Sequence, residues 1–374
     1  MAKNRSLYNA LGVYASQFVT STGSGQHVQL KRVQSVGHSS EINRTDVLQL
    51  GDLARIGAIV TSPPTVSADL TYLLSDGAVE KALGFYVQNP SSLGEANFAS
   101  GQMVSSSGLN LFVVEGSEGF DLNRETSLSG KAIVALGNCF LSNYSVEAAV
   151  GGFPTVSVSF DASNKLADSY YHLGAITGTQ NPAVDIVNGQ PISSATGVRL
   201  PIPTTGDGAI ALRPGDVTIS FGTLTGTSAT KASAFSALEG ADGLRVQSVS
   251  LSLPLSRTPI EQLGSRFPFA RPVDFPITAS LSVSALANEQ VKRNLASMLD
   301  DVSTSDITIV INQPDGSGGV RYVLKGAQFD SESSSIDIGS NRTVDLSFSA
   351  QVGGPNTTNV GVFMSGSHNG AVFA

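Results

Sequence analysis

Strict alternation of apolar and polar positions is the strongest signal along the chain. In TVSADLTY it sets Val66, Ala68, Leu70 and Tyr72 on one face, and in ITASLSVSA it sets Ala279, Leu281, Val283 and Ala285 on one face. A period of two predicts half-buried strands, packed on one side and wetter on the other. The alternation returns in TVSVSF at 155–160 and TVDLSF at 343–348. NLFVVEG with KAIVALGN, and DITIVIN with VRYVLKG, read as two further strand pairs, the second joined by the turn-forming QPDGSGG. Helical spacing is confined to two short stretches. NEQVKRNLASML continues a stripe of Ala287, Val291, Leu295 and Met298 with Asn288 as N-cap, and SDGAVEKALGF gives a shorter helix weakened by Gly77.

These elements come in two sets because the chain is internally duplicated. RVQSV stands at 32–36 and again at 245–249, and at the same offset of 213 Ser39 matches Ser252, Arg44 and Thr45 match Arg257 and Thr258, and Gln49, Leu50 and Gly51 match Gln262, Leu263 and Gly264. The twenty positions 32–51 thus hold 11 ungapped identities, where ordinary composition gives about one or two. Pro63, Thr65 and Ser67 continue the match at Pro276, Thr278 and Ser280. The inward phase agrees in both copies, so they share one register and one fold. The offset falls to 197 at NLFVV and ITIVI and to 188 at the closing strands, so the first copy is 25 residues longer, with about 16 of these around NPSSLGEANFASGQMVSSSG. The resulting division is a first domain at 1–164, an ordered irregular segment at 165–210, a second domain at 211–350 and a C-terminal arm at 351–374. GDVTISF is matched to LYNALGVY as the opening strand of its copy.

Composition supports a β protein and narrows the chemistry. Gly, Ser, Thr and Val are abundant, Trp is absent and only 14% of residues are charged. A net charge of -8 gives no positive field to draw the chain onto nucleic acid or anionic membrane. The one cysteine, Cys139, sits in apolar VALGNCFL as a small buried hydrophobe, so no disulfide forms within the chain. Neither a signal peptide nor a membrane-length apolar run is evident, and the product is expected to stay in the cytoplasm where it is made. The Asn-x-Ser/Thr triplets at Asn43, Asn143, Asn341 and Asn356 are then chance.

No motif marks an enzyme, and no cofactor or metal is expected. His27, His38, His172 and His368 are scattered without ligand spacing, and no P-loop, nucleophile elbow or dinucleotide fingerprint is present. The informative acids lie on or beside strands: Asp69, Glu147, Asp161, Asp330, Glu332, Asp337 and Asp345. They read either as an ordinary solvated sheet face or as an acidic channel wall along which a polyanion slides without sticking.

RVQSV followed by RTDVLQLGDL, SPPTVSADLTYLLSDG and YSVEAAVGGFPTVSVSFDASN, with RTPIEQLGSR, ITASLSVSA and RTVDLSFSA in the second copy, resembles the tail tube proteins of long-tailed bacteriophages. The resemblance implies two tandem tail-tube-like β-barrel or sandwich domains, each with one short flanking helix. It implies three chains per ring, pseudo-hexameric through the duplication, stacked into the hollow virion tail tube. The implied partners are further copies of the chain, the tape measure protein, tail-tip and terminator proteins, a sheath in contractile tails, and double-stranded DNA passing through without specific binding. The segments 37–60 and 250–273 would be loops reaching the adjacent ring through Arg44, Thr45, Gln49, Leu50, Arg257, Thr258, Gln262 and Leu263, unless the leucines only pin each loop to its own barrel. Asp69, Asp161 and Asp345 would face the lumen. A tail-tip, initiator or terminator ring protein, or a carbohydrate-binding phage adhesin, remains the alternative reading.

Overall fold

The computed structural model describes residues 8–17, 27–62, 64–89, 96–104, 108–116, 118–119, 121–124, 131–169, 186–187, 190–191, 200, 212, 217–222, 245–264, 268, 270–286, 304–312, 319–336 and 341–367. The first half contributes β1 (Leu11–Gln17), β2 (His27–Leu30), β3 (Val33–Glu41), β4 (Arg44–Val47), β5 (Gly57–Val60), β6 (Thr65–Leu73), β7 (Val87–Gln88), β8 (Leu109–Glu115), β9 (Ala132–Ala149), β10 (Thr155–Ala162) and β11 (Asn164–Ser169). Two one-turn helices, α1 (Ala78–Ala82) and α2 (Ser100–Val104), follow β6 and β7. A small ladder of β12 (Ile186–Val187) and β13 (Gln190–Pro191) precedes β14 (Val217–Phe221), β15 (Arg245–Pro254), β16 (Ile277–Leu286), β17 (Ser305–Asn312), β18 (Gly319–Ser335), β19 (Thr343–Val352) and β20 (Gly361–Gly366). The protein is mainly β. The helix expected at 287–298, the QPDGSGG turn, His172, His368, Asp337 and most of 165–210 fall outside the described residues.

Eight strands form one antiparallel layer in the order β18, β19, β16, β15, β9, β10, β6, β3. Its two halves repeat each other: β3, β6, β10 and β9 correspond to β15, β16, β19 and β18, and β15 lies directly on β9. The alternating segments pack as their period dictates, with Val66, Ala68, Leu70 and Tyr72 buried in β6 and Ala279, Leu281, Val283 and Ala285 buried in β16. One apolar core runs through both halves.

β9 and β18 are 18 and 17 residues long, and each serves two layers. Their first halves pair with β8 and β11, and with β17 and β20. The passage between layers occurs at equivalent residues of positive φ, Asn138 (51°) and Gly326 (69°). Asn and Gly are the residues that tolerate this conformation, and the Asn138 side chain is further held, its Oδ1 accepting from the Gly108 N–H at 2.9 Å. β1 lies on β8 as β14 lies on β17.

Two expectations change. The segment after Ala350 is no separate arm: β20 is a fully buried strand, and it pairs with β18 as β11 pairs with β9. Ser169 faces Ala132 and Asn164 faces Gly137, while Gly366 faces Val320 and Gly361 faces Lys325. A longer connection at 353–360 breaks the constant offset, which hid the counterpart in the sequence. The expected loops also begin later than 37 and 250, because β3 runs on to Glu41 and β15 to Pro254. HSSE lacks alternation because β3 is an edge strand, held by backbone pairing to β6 and exposed along most of its length.

The repeated RVQSV encodes a bulge. The β3–β6 register shifts between Val33 and Ser35, and the β15–β16 register shifts between Val246 and Ser248. The extra residue is Gln34 or Gln247, whose side-chain amide donates to the carbonyl of Arg32 at 3.1 Å or of Arg245 at 3.2 Å. Both copies keep the string because both begin their layer with the same local twist.

Candidate functional site

The face of the eight-stranded layer turned away from the core is a field of hydroxyls. One row crosses seven of the eight strands, from β19 to β3, through directly paired residues: Ser349, Ser280, Ser252, Ser145, Ser157, Thr71 and Ser35. The parallel row one residue away is apolar and buried, including Phe348, Leu281, Leu251, Val146, Val156 and Tyr72. Alternation alone therefore separates a continuous core from a continuous polar surface, across the junction of the two copies as well as within them.

Every charged side chain on the interior strand positions of this face is acidic. Asp69 and Asp345 are exposed, Asp161 and Glu147 stand on the same side, and Glu41 ends β3 there. Ser159 donates to Asp69 at 2.7 Å, and Ser349 donates to Asp330 at 2.8 Å. Arg245 and Arg342 stand only at the rim, at or before the first residue of β15 and β19. The three carboxylates expected on one face, Asp69, Asp161 and Asp345, are thus brought onto the same surface. Glu332 departs from that set, because it pairs opposite Leu346 and so points to the core side.

The RT-containing segments form hairpins at one end of the layer. Arg44 is paired with Val60, and Arg257 with Val273 at the equivalent place. Thr45 Oγ1 lies 2.9 Å from Thr61 Oγ1 across the first hairpin, and an Arg55–Asp46 ion pair of 2.7 Å braces it. Gly51 (φ 99°) and Gly264 (φ 85°) turn the two tips alike. Gln49 and Gln262 are exposed beside them, and Leu50 and Leu263 are 100% and 104% exposed, so neither leucine pins its hairpin to the body.

Arg257 differs most from its counterpart Arg44 among the eight expected contact residues. It is committed within the chain, donating to the carbonyls of Gln102 and Arg271 at 2.9 Å each and of Leu141 at 3.4 Å, above the Phe140 ring. Burial lowers its pKa to about 10, with Arg271 adding to the shift. Copy two thereby clasps copy one, and the side chain is taken up inside its own chain. Thr258 also has an internal partner, donating to Asp274 at 2.9 Å. Arg44 remains exposed.

A buried polar cluster joins the copies from beneath and was not foreseen. Tyr72 donates to Glu80 of α1 at 2.9 Å and Tyr144 donates to the same oxygen at 3.4 Å, while the Tyr144 and Tyr322 hydroxyls are 2.7 Å apart. Burial pushes the Glu80 carboxyl up to about 7, against the tyrosine hydrogen bonds that favour its anion. Four such residues in separate strands and one helical turn carry no sequence spacing that would announce them.

Among the described residues no group of three His, Cys, Asp or Glu side chains gathers to hold a metal ion. No helix among them is long and apolar enough to cross a membrane. No protein-family model and no curated protein matches the chain.

Proposed function

We propose that this chain is a structural, self-assembling tube protein, whose trimeric, pseudo-hexameric rings stack into a phage tail tube that guides the tape measure protein and conducts DNA. The observation that carries the reading is the eight-stranded layer itself. It is one continuous sheet built from two equivalent halves, with a serine and carboxylate face free of Lys and Arg between its rims, and its two ends, β3 and the second half of β18, have an open edge among the described residues. An open edge at each end favours head-to-tail association, which closes into a ring when the rotation per chain permits.

Simple geometry favours three chains. Three copies of the layer make about 24 strands, roughly 115 Å around at about 4.8 Å per strand and roughly 37 Å across the backbone before tilt widens it. Side chains of about 5 Å on each wall still leave a bore that admits a DNA duplex. Two copies give roughly 24 Å across the backbone and a bore too narrow for one. Hydroxyls and carboxylates suit such a wall, since a passing polyanion finds no cation to release counterions against.

Negative-stain microscopy of the purified chain at high concentration tests this. Open-ended tubes, with end views of three-fold order and a pseudo-six-fold outline, are expected. Two-fold dimers, or solid particles without a bore, would overturn the reading.

A further inference from the structure

The seam inside one chain is also a template for a seam between chains. β15 lies on β9 with Val249 opposite Ala148, Ser252 opposite Ser145 and Pro254 opposite Asn143. Their counterparts, β3 and the second half of β18, are the two ends of the same layer, open among the described residues. The hairpin beyond each first strand is built alike, Arg257 against Val273 and Arg44 against Val60. Arg257 lands on copy one, at the carbonyls of Leu141 and Gln102. Arg44, presented by the same backbone, lands on nothing among the described residues of its own chain and is exposed.

We propose that a second copy of this chain supplies the missing surface: β3 pairs with the neighbour's β18 in the register of β15 on β9, and Arg44 docks where the neighbour presents the Phe329 carbonyl and the Asp330 carboxylate. This deepens the self-assembly reading above and rests on it. The offsets of 213 for β3 and 188 for β18 place Val36 opposite Ile336, Ser39 opposite Ser333 and Glu41 opposite Ser331, and they carry Leu141 onto Phe329.

The mating residues are complementary. Ile336 is a large apolar side chain left 71% exposed at the end of β18, and the register gives it Val36. Ser142 and Asp330 are the equivalent bulged residues of β9 and β18, so the neutral residue of the internal seam is replaced by a carboxylate at the outer one. That carboxylate answers the charge of Arg44. Elsewhere the substitutions run from apolar to polar: Leu251 opposite Val146 becomes His38 opposite Ser334, and Leu253 opposite Tyr144 becomes Ser40 opposite Glu332. The internal seam is buried on folding, whereas the outer edges must stay wetted until a neighbour arrives. Polar residues at the outer seam meet that requirement.

Cysteine cross-linking tests the register, because the one native cysteine, Cys139, is buried. The double variant S39C/S333C is oxidised in assembled material and compared with S39C/S335C, which probes a slip of two residues on the same face. The expected result is covalent dimers chasing into a covalent trimer for S39C/S333C, at least ten-fold more than for S39C/S335C. R44D should reduce that yield at least ten-fold, and R44D/D330R should restore it. Rings or tubes that form while S39C/S333C stays uncross-linked, or that cross-link better through S39C/S335C, would overturn this interface and leave the tube reading standing. A chain that stays monomeric and uncross-linked at high concentration would overturn both.

Discussion

Tyr144 and Tyr322 share a hydrogen bond of 2.7 Å, one phenol from each copy of the duplication. With Tyr72 they surround Glu80 in α1, the helical turn directly after β6, so the two copies are tied by a polar contact inside their common apolar core. A buried network of this kind holds one relative placement of the halves, since any slide leaves hydroxyls and a carboxyl without partners.

Folding favours the protonated form of Glu80, whose carboxyl is raised from 4.5 to about 7. This contribution is therefore complete below about pH 4.5 and is lost as pH rises through about 7, amounting to about 3 kcal/mol. Urea unfolding of the unassembled chain at pH 5 and pH 8 should show the wild type losing that stability while E80Q does not. Parallel pH profiles for the two proteins would count against a protonated Glu80.

The two equivalent arginines should separate in a stability measurement. R257A removes a half-buried cation from three backbone carbonyls and should cost about 2 kcal/mol in denaturant unfolding of the unassembled chain. R44A alters an exposed side chain and should stay within about 0.5 kcal/mol. Equal losses would show that Arg44 has an internal role after all.

Much of the layer is legible in the sequence, because a period of two reports which side of a strand is buried whatever its partner. The phase at Val66 and at Ala279 and the common face of Asp69, Asp161 and Asp345 follow from it, while the duplication is read from strings repeated at an offset of 213. Edge strands escape this logic: the end of β3 pairs through its backbone, which HSSE does not advertise. β20 escapes because a longer connection moves it out of the offset that reveals the other strands. The different fates of Arg44 and Arg257 escape for another reason. Identical RT pairs encode identical hairpins, but what lies across from each depends on which copy is covalently next to it.

The open face gives a test by charge reversal. D69K/D345K puts two cations per chain at exposed positions of the layer and should leave folding intact. Wild-type assemblies should not retain short duplex DNA, whereas variant assemblies should. The variant's log affinity should fall linearly with log salt, with a slope of about -0.9 per phosphate neutralised. Retention by the unassembled variant at the same affinity would mean that the face does not line a bore.

The hairpin tips should control stacking separately from ring closure. Leu50 and Leu53 are fully exposed at one end of the layer, Leu263 matches Leu50 in the second copy, and an unassembled chain gains nothing from them. Burying such a side chain in a partner contributes about 1.5–3 kcal/mol, repeated around every ring of a stack. L50S/L53S should therefore leave the denaturant midpoint of the single chain unchanged and still permit closed rings, while shortening tubes to isolated rings or small stacks under the microscope. L263S, which removes one apolar tip from the second hairpin, should shorten them less. Tubes of wild-type length from L50S/L53S would show that the tips do not carry the ring-to-ring contact, and would move that role to another part of the rim.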